Sequence, residues 1–291
     1  MELFNFQTPS SVAELLIAKA NTNAWLLAGG TDLIPQLKEG RRKADLVIDI
    51  KKIPAMNGIS ELEDGTLRIG AAVSATAIAQ NVDAIRSYAA LASSVALIGS
   101  RQVQNRATLG GNVCNAAPSA DAIPALICYD AMAEIEGAEG KREILVEDLF
   151  TGPGRTQLNP TEVLISFLLP LQSERTAAAY QRFTPRREMD IAVAGVGSRI
   201  SLDADGKIIA ARVALASVGP TPLRAASAEC VLMDESPSSQ LFEEAGVAAA
   251  QDASPISDTR GSAEYRRHLV SVLCKRTLAS ATNELLQDTW T

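Results

Sequence analysis

Leu27-Ala-Gly-Gly-Thr-Asp-Leu33 follows a short apolar run, Ala24–Ala28, and precedes a segment that we expect to form a short helix ending at Gly40. Glycine has no Cβ, so the backbone N–H groups of such a turn can approach a ligand closely. A glycine turn between a strand and a helix is typical of sites that hold an anion, often a phosphate, through these N–H groups. The stretch is therefore a candidate site for a diphosphate or a similar anion at the end of the first strand.

A second glycine motif, Ala107-Thr-Leu-Gly-Gly-Asn112, lies in a Gly- and Asn-rich span from residue 99 to 121. Irregular spans of this length inside a compact domain are usually functional. We expect Gly110, Gly111 and Asn112 to offer N–H donors beside Thr108, so that the two loops grip one diphosphate from both sides. Neither motif matches G-x-G-x-x-G or a Walker loop, so the sequence does not indicate Rossmann binding or NTP hydrolysis.

The composition sets limits on the function. The chain has 291 residues, of which 47% are hydrophobic and 21% charged, which is ordinary for a soluble globular protein. A net charge of −7 gives no general attraction to nucleic acid or anionic lipid. The four cysteines are widely spread and form no CxxC pair, so we expect no metal site in this chain. No apolar run has the length of a membrane helix and no signal peptide is evident, which predicts a cytoplasmic protein.

The order of elements indicates two domains, with a boundary at Gln172–Thr176. We predict helices over residues 12–20, 83–98, 122–129 and 263–286. We predict strands over residues 46–50, 66–71, 131–136, 142–145, 163–169, 178–183, 191–202 and 207–218. Asp203-Ala-Asp-Gly206 is expected to form the hairpin turn between the last two strands.

Several of these segments together resemble one known family. They are Leu27–Leu33, Ile69–Ser74, Gln102–Asp121 and Val163–Ile165. They look like the FAD-binding (medium) subunit of the molybdenum hydroxylase family, of the xanthine dehydrogenase and carbon monoxide dehydrogenase type, and the resemblance covers nearly the whole chain. It implies an α+β fold with a bipartite FAD-binding domain of the vanillyl-alcohol oxidase (PCMH) type over residues 1–172, divided at about residue 55. A C-terminal domain over residues 176–287 would combine a three-stranded antiparallel sheet with helices.

The resemblance also implies a non-covalent FAD and the residues that hold it. Segments 28–32 and 108–112 would hold the pyrophosphate and ribityl chain. Asp121 would bond ribityl or ribose hydroxyls, Ile165 would make a backbone contact, and Arg186 or Arg187 would lie near the isoalloxazine ring. Ile98 replaces a Phe that stacks on the flavin in the animal xanthine enzymes. The full set of expected FAD-binding residues is Leu27, Ala28, Gly29, Gly30, Thr31, Asp32, Leu33, Ala71, Thr108, Leu109, Gly110, Gly111, Asn112, Ala117, Ser119, Asp121, Ile165 and Arg187.

Some of these residues also have purely structural interpretations. Asp32 and Asp121 each precede a predicted helix and are candidates for its N-cap. Arg186 and Arg187 are equally consistent with a solvated pair of charges. His268 is the single histidine and is expected at the surface, so no residue is nominated as catalytic.

The resemblance further implies that the chain works in a complex. A small partner subunit would carry [2Fe–2S] centres and a large one the molybdenum cofactor, in a dimer of heterotrimers. FAD would then pass electrons to NAD or another acceptor. Two alternatives stay open at this point: a self-contained flavin oxidase or dehydrogenase, and a non-catalytic nucleotide-binding assembly protein.

Overall fold

A computed structural model describes residues 2–20, 23–81, 83 and 85–287. The chain begins with a three-stranded parallel sheet of order β1-β3-β2, which confirms the predicted strand–helix–strand unit. The exposed edge strand β1 was not predicted, since three exposed residues carry no apolar pattern. The elements of this part are β1 (Asn5–Gln7), α1 (Val12–Lys19), β2 (Ala24–Leu27), α2 (Leu33–Lys38) and β3 (Leu46–Asp49).

A five-stranded antiparallel sheet of order β4-β5-β10-β6-β7 follows, with short helices packed against it. Its strand β10 is buried along almost its whole length, as the continuous apolar run predicts. The elements are β4 (Ile59–Glu61), β5 (Leu67–Gly70), α3 (Ala75–Gln80), α4 (Ala89–Val95), α5 (Arg101–Gln104), α6 (Leu109–Cys114), α7 (Ala122–Cys128), β6 (Met132–Gly137), β7 (Gly140–Leu145), β8 (Phe150–Gly152), β9 (Arg155–Thr156) and β10 (Val163–Leu169).

Two expectations for this region were wrong. The single helix predicted over 83–98 is a 3-10 turn at Arg86–Tyr88 followed by α4, which begins where Ala90 N–H donates to the hydroxyl of Tyr129 at 3.2 Å. Residue 84 lies outside the described residues. The span 99–121 is also more regular than expected, because α5 and α6 lie within it.

The C-terminal domain contains a four-stranded antiparallel sheet of order β11-β12-β13-β14. The predicted three strands and final helix are confirmed, and the sheet gains the two-residue strand β14, which is too short to leave a sequence pattern. The predicted hairpin turn is also confirmed: Asp203 N–H donates to Lys207 O at 2.9 Å, and Gly206 has a φ of +84°. The elements are β11 (Thr176–Phe183), β12 (Ala194–Leu202), β13 (Ile208–Ala216), β14 (Leu223–Arg224), α8 (Ala226–Leu232), α9 (Ser239–Asp252) and α10 (Ala263–Gln287).

Helix α7 joins the two domains. All seven of its residues are buried, and it packs on β11, β12 and β13 from the side opposite α9 and α10. Gly197 in β12 permits this close approach, because a Cβ there would lie 3.2 Å from Pro124 O. Helix α7 also contacts α6, which contains the second glycine motif, so it links that helix to the C-terminal sheet.

Candidate functional site

The first glycine loop lies at the carboxyl end of β2. Gly30 has a φ of +77°, a backbone conformation that favours glycine. Leu27 and Leu33 flank the loop, and their side chains pack into a small apolar cluster with Leu37 and Val47. This packing anchors both ends of the loop. In the described chain, the backbone N–H groups of residues 29–32 donate to no protein acceptor. The loop therefore presents several free donors together, as an anion site requires.

The two glycine loops contact each other, as the sequence predicts. A Cβ built on Gly29 would lie 2.0 Å from Arg106 O and 2.8 Å from the Cα of Ala107. A Cβ on Gly111 would lie 3.9 Å from the Cβ of Ala28. Glycine at position 29 is thus required because the backbone of the second loop occupies the place of a side chain.

The second glycine motif does not supply the donors that we expected from it. Thr108 is the N-cap of α6, and the glycines lie in the first turn of that helix. Their N–H groups already bond within the protein, so the expectation that they serve as free donors was wrong. The bonds are Leu109 N–Val73 O (3.1 Å), Gly110 N–Ala71 O (2.9 Å), Gly111 N–Thr108 Oγ1 (3.0 Å) and Asn112 N–Thr108 O (2.9 Å).

Asn112 nevertheless offers a ligand group. Its Oδ1 atom is buried and accepts no hydrogen bond among the residues that the structure describes. A buried polar atom without a partner costs about 1–3 kcal/mol, so such an atom calls for a donor from outside the chain. Asn112 is therefore suited to a hydroxyl or N–H of a bound molecule rather than to a phosphate oxygen.

Ala71 and Ile165 connect the second motif to the five-stranded sheet. Ala71 N–H donates to Ile165 O at 2.9 Å, and Ala71 O accepts from Gly110. Ile165 lies at a bulge in β10, where the register with β6 shifts between Leu164 and Ser166. Both residues are buried. Their backbones hold the first turn of α6 against the end of β5.

Asp121 occupies the N-cap position of α7, but its side chain makes no capping hydrogen bond. Its carboxylate instead accepts a hydrogen bond from Tyr180 Oη at 2.8 Å and forms an ion pair with Arg182. Both partners lie on β11. Gly195 makes room for this contact, because a Cβ there would lie 2.6 Å from Tyr180 Oη. Burial raises the pKa of Asp121 to about 6 and outweighs the opposing effect of Arg182.

The amino-acid sequence did not indicate the partners of Asp121. Tyr180 and Arg182 are two residues apart in one strand and therefore share a face of the sheet. That alternation was the only available signal, and it does not indicate which carboxylate lies opposite.

Asp32 occupies the N-cap position of α2, but its side chain is exposed and makes no capping hydrogen bond, so the expected capping role was wrong. Asp32 and Thr31 lie on the outer part of the first loop.

Ala117 and Ser119 are partly buried between α6 and α7. The turn they belong to is tied to the C-terminal domain by Ser217 N–H, which donates to Pro118 O at 2.7 Å.

Arg186 and Arg187 lie in the exposed loop between β11 and β12. Arg186 is 3.6 Å from Asp190, whereas Arg187 makes no hydrogen bond or ion pair within the described residues. The loop contacts the first domain through Met189 N–H, which donates to Gly99 O at 3.2 Å, next to Ile98. This hydrogen bond joins the loop to the segment that follows α4.

Lys51 was not foreseen as part of the site. Its ammonium group donates to Ala28 O at 2.9 Å, directly before the first glycine pair, and to Asp49 Oδ1 at 2.6 Å. Only its position after β3 could have drawn attention to it, since β3 and β2 are parallel neighbours that end at the same edge.

The arrangement fits a flavin dinucleotide. Free backbone donors on the first loop suit a diphosphate, and the Oδ1 atom of Asn112 suits a sugar or ribityl hydroxyl.

The described residues contain no group of His, Cys, Asp and Glu side chains able to hold a metal ion. In the same residues, no helix is long and apolar enough to cross a membrane.

Comparisons with known proteins point to the same class of ligand. Residues 2–172 match the family model of the FAD binding domain in molybdopterin dehydrogenase, and residues 178–281 match the CO dehydrogenase flavoprotein C-terminal domain. The chain is 34% identical to the xanthine dehydrogenase FAD-binding subunit of Escherichia coli O157:H7, over 90% of this chain and 89% of that protein. It is 30% identical to the carbon monoxide dehydrogenase medium chain of Hydrogenophaga pseudoflava, with 96% of each covered.

The fold agrees as well. A solved structure of carbon monoxide dehydrogenase from Hydrogenophaga pseudoflava superposes with a TM-score of 0.91 at 30% identity, over 97% of this chain and 98% of that one. With both domains matched in order and the two glycine loops in contact, this chain belongs to the FAD-binding medium subunits of the molybdenum hydroxylases, a family of oxidoreductases.

Proposed function

We propose that this chain is the electron-transfer subunit of a heterotrimeric molybdenum hydroxylase, in which its FAD connects [2Fe–2S] centres on a small partner subunit with NAD or another acceptor. A large partner subunit would carry the molybdenum cofactor and act on the organic substrate. The observation that carries the proposal is the first glycine loop, with free N–H donors at residues 29–32 and the second loop packed against it.

The residues that would hold FAD divide into donors, acceptors and supports. The N–H groups of residues 29–32 would bind the diphosphate, and Asn112 Oδ1 would accept from a ribityl or ribose hydroxyl. Thr108 would act indirectly, since its side chain caps α6. The remaining expected contacts, which include Ser119, Ile165 and Arg187, are proposed on the family resemblance. Bound FAD supplies reversible redox chemistry, while the protein supplies binding and position.

An electron-transfer role fits this chain better than a self-contained oxidase. Such an oxidase needs a general base that is free to take a proton from its substrate. The buried carboxylate of Asp121 is engaged on both oxygens by Tyr180 and Arg182, and His268 is exposed on α10. The matched relatives are themselves named as a subunit or a medium chain, which supports a role within a larger complex. We propose a dimer of heterotrimers in the cytoplasm as that complex.

Purification of the full chain tests the proposal. A yellow protein that dithionite bleaches, that organic substrates leave unchanged, and that retains two different partner chains after gentle lysis is the expected result. Bleaching by an organic substrate alone would instead establish a self-contained oxidase. A colourless chain that takes up no added FAD would establish the assembly-protein alternative.

A further inference from the structure

Lys51 and Asp49 form a brace beneath the first glycine loop. The side chains of Lys51 and Asp49 are 26% and 19% exposed, and their ion pair of 2.6 Å is supported by a second bond, from Lys51 N–H to Asp49 Oδ1 at 3.0 Å. The free end of the ammonium group reaches across to Ala28 O at 2.9 Å. Asp49 and Leu27 are paired at the ends of adjacent parallel strands, so the brace spans the same edge that carries the loop.

The hydrogen bond from Lys51 to Ala28 O fixes the orientation of the whole peptide group between Ala28 and Gly29. A carbonyl oxygen and the N–H of the next residue belong to one planar trans peptide and point in opposite directions. When Lys51 holds the carbonyl of Ala28 on one side, the N–H of Gly29 must point to the other side. That N–H is the first of the free donors of the loop.

The brace has little effect on net charge, because Asp49 neutralises the ammonium group at close range. Its main contribution is therefore the direction of the peptide rather than long-range attraction of an anion. A charge-assisted hydrogen bond is well suited to this, since it is stronger than a neutral one. Gly29 itself has no side chain with which to fix its own orientation.

We infer that Lys51 is a positioning residue that directs the N–H groups of the first glycine loop toward the diphosphate of FAD; this rests on the proposed function. Lys51 does not itself contact the ligand in this scheme. It acts through the peptide between Ala28 and Gly29.

Titration of the full chain, freed of flavin, with FAD and separately with riboflavin tests this inference. Lys51→Met keeps most of the aliphatic stem and removes the charge. Lys52→Met is the matched control, because Lys52 is adjacent and exposed and makes no hydrogen bond or ion pair in the described chain. We expect Lys51→Met to weaken FAD binding about tenfold. Riboflavin has no diphosphate, so its binding should change by less than about twofold.

Two further measurements separate positioning from general damage. Lys51→Arg retains a cation within reach of Ala28 O and should recover most of the FAD affinity. In the flavin-free chain, the amide resonances of Gly29 and Gly30 should shift in Lys51→Met and stay in place in Lys52→Met.

The possible failures are distinguishable. A wild-type chain that binds no FAD would overturn the proposed function and this assignment with it. A wild-type chain that binds FAD, beside a Lys51→Met variant that binds it equally tightly or leaves the glycine resonances unmoved, would overturn the assignment alone. Equal losses of FAD and riboflavin affinity would also overturn it, because they would show damage unrelated to the diphosphate.

Discussion

Gly29 approaches the carbonyl of Arg106 so closely that a Cβ at position 29 would lie 2.0 Å from that oxygen. This is far inside any real contact between non-bonded atoms, and the neighbour is backbone rather than a flexible side chain. The two glycine loops therefore depend on each other for their shape. A side chain at position 29 has to push one loop away from the other.

We predict that Gly29→Ala weakens FAD binding by about tenfold or more, because the first loop must shift relative to α6. FAD titration of the purified variant measures the effect. Gly261→Ala is a suitable control, since Gly261 lies in the C-terminal domain and the nearest atom to a Cβ there belongs to the side chain of Tyr265, at 3.2 Å. Unchanged FAD affinity in Gly29→Ala would show that the contact between the loops is dispensable.

Thr108→Val should destabilise the chain by about 1 kcal/mol, because α6 loses the hydroxyl that accepts from Gly111 N–H. Urea unfolding measures this loss. Thr108→Ser keeps the hydroxyl and should stay close to the wild type. If valine and serine are equally well tolerated, the capping bond contributes nothing to stability.

Gly195→Ala should lower the free energy of unfolding by about 1–3 kcal/mol, because the added methyl group meets the hydroxyl of Tyr180 at 2.6 Å. Tyr180→Phe removes that hydroxyl. In the double variant, Gly195→Ala should therefore cost less than it does alone, and a double-mutant cycle measures the difference. Strictly additive losses would contradict the proposed clash.

The pH dependence of stability should reveal the buried carboxyl of Asp121. Its pKa is raised from 3.8 to about 6 by burial, so the folded protein holds a proton that the unfolded chain has lost. Raising the pH from about 4 to about 6 should thus lower the free energy of unfolding of the wild type relative to Asp121→Asn. Urea unfolding of both proteins across this range gives the difference. A difference that rises with pH would mean that Arg182 outweighs burial.

Local features of the fold could be predicted from the sequence, and long-range partners could not. The glycine pairs and the apolar runs around them identified both loops and most strands, because these signals lie within a few residues. Which N–H groups stay free was not accessible: those of Leu109 and Gly110 are taken by Val73 and Ala71, which come from a different segment. The short strands β1 and β14 were missed because pairing, and not composition, makes them strands.

The same limit explains Asp121. Its position before a helix indicated a cap, which is the common local use of aspartate. Tyr180 and Arg182 both bind the carboxylate, and they belong to a strand that lies far along the chain from Asp121. Tertiary contact therefore decided its role, because the alternation in β11 places Tyr180 and Arg182 on one face but does not identify Asp121 as their partner.

The complete burial of α7 affects how this protein folds during synthesis. During synthesis, residues 122–128 leave the ribosome before the strands that cover them, and their apolar surface stays uncovered until β13 has been added. A gene fragment that ends before β11 would encode a helix with a permanently bare apolar face. The FAD-binding domain expressed without its C-terminal partner should therefore expose this apolar surface and tend to aggregate.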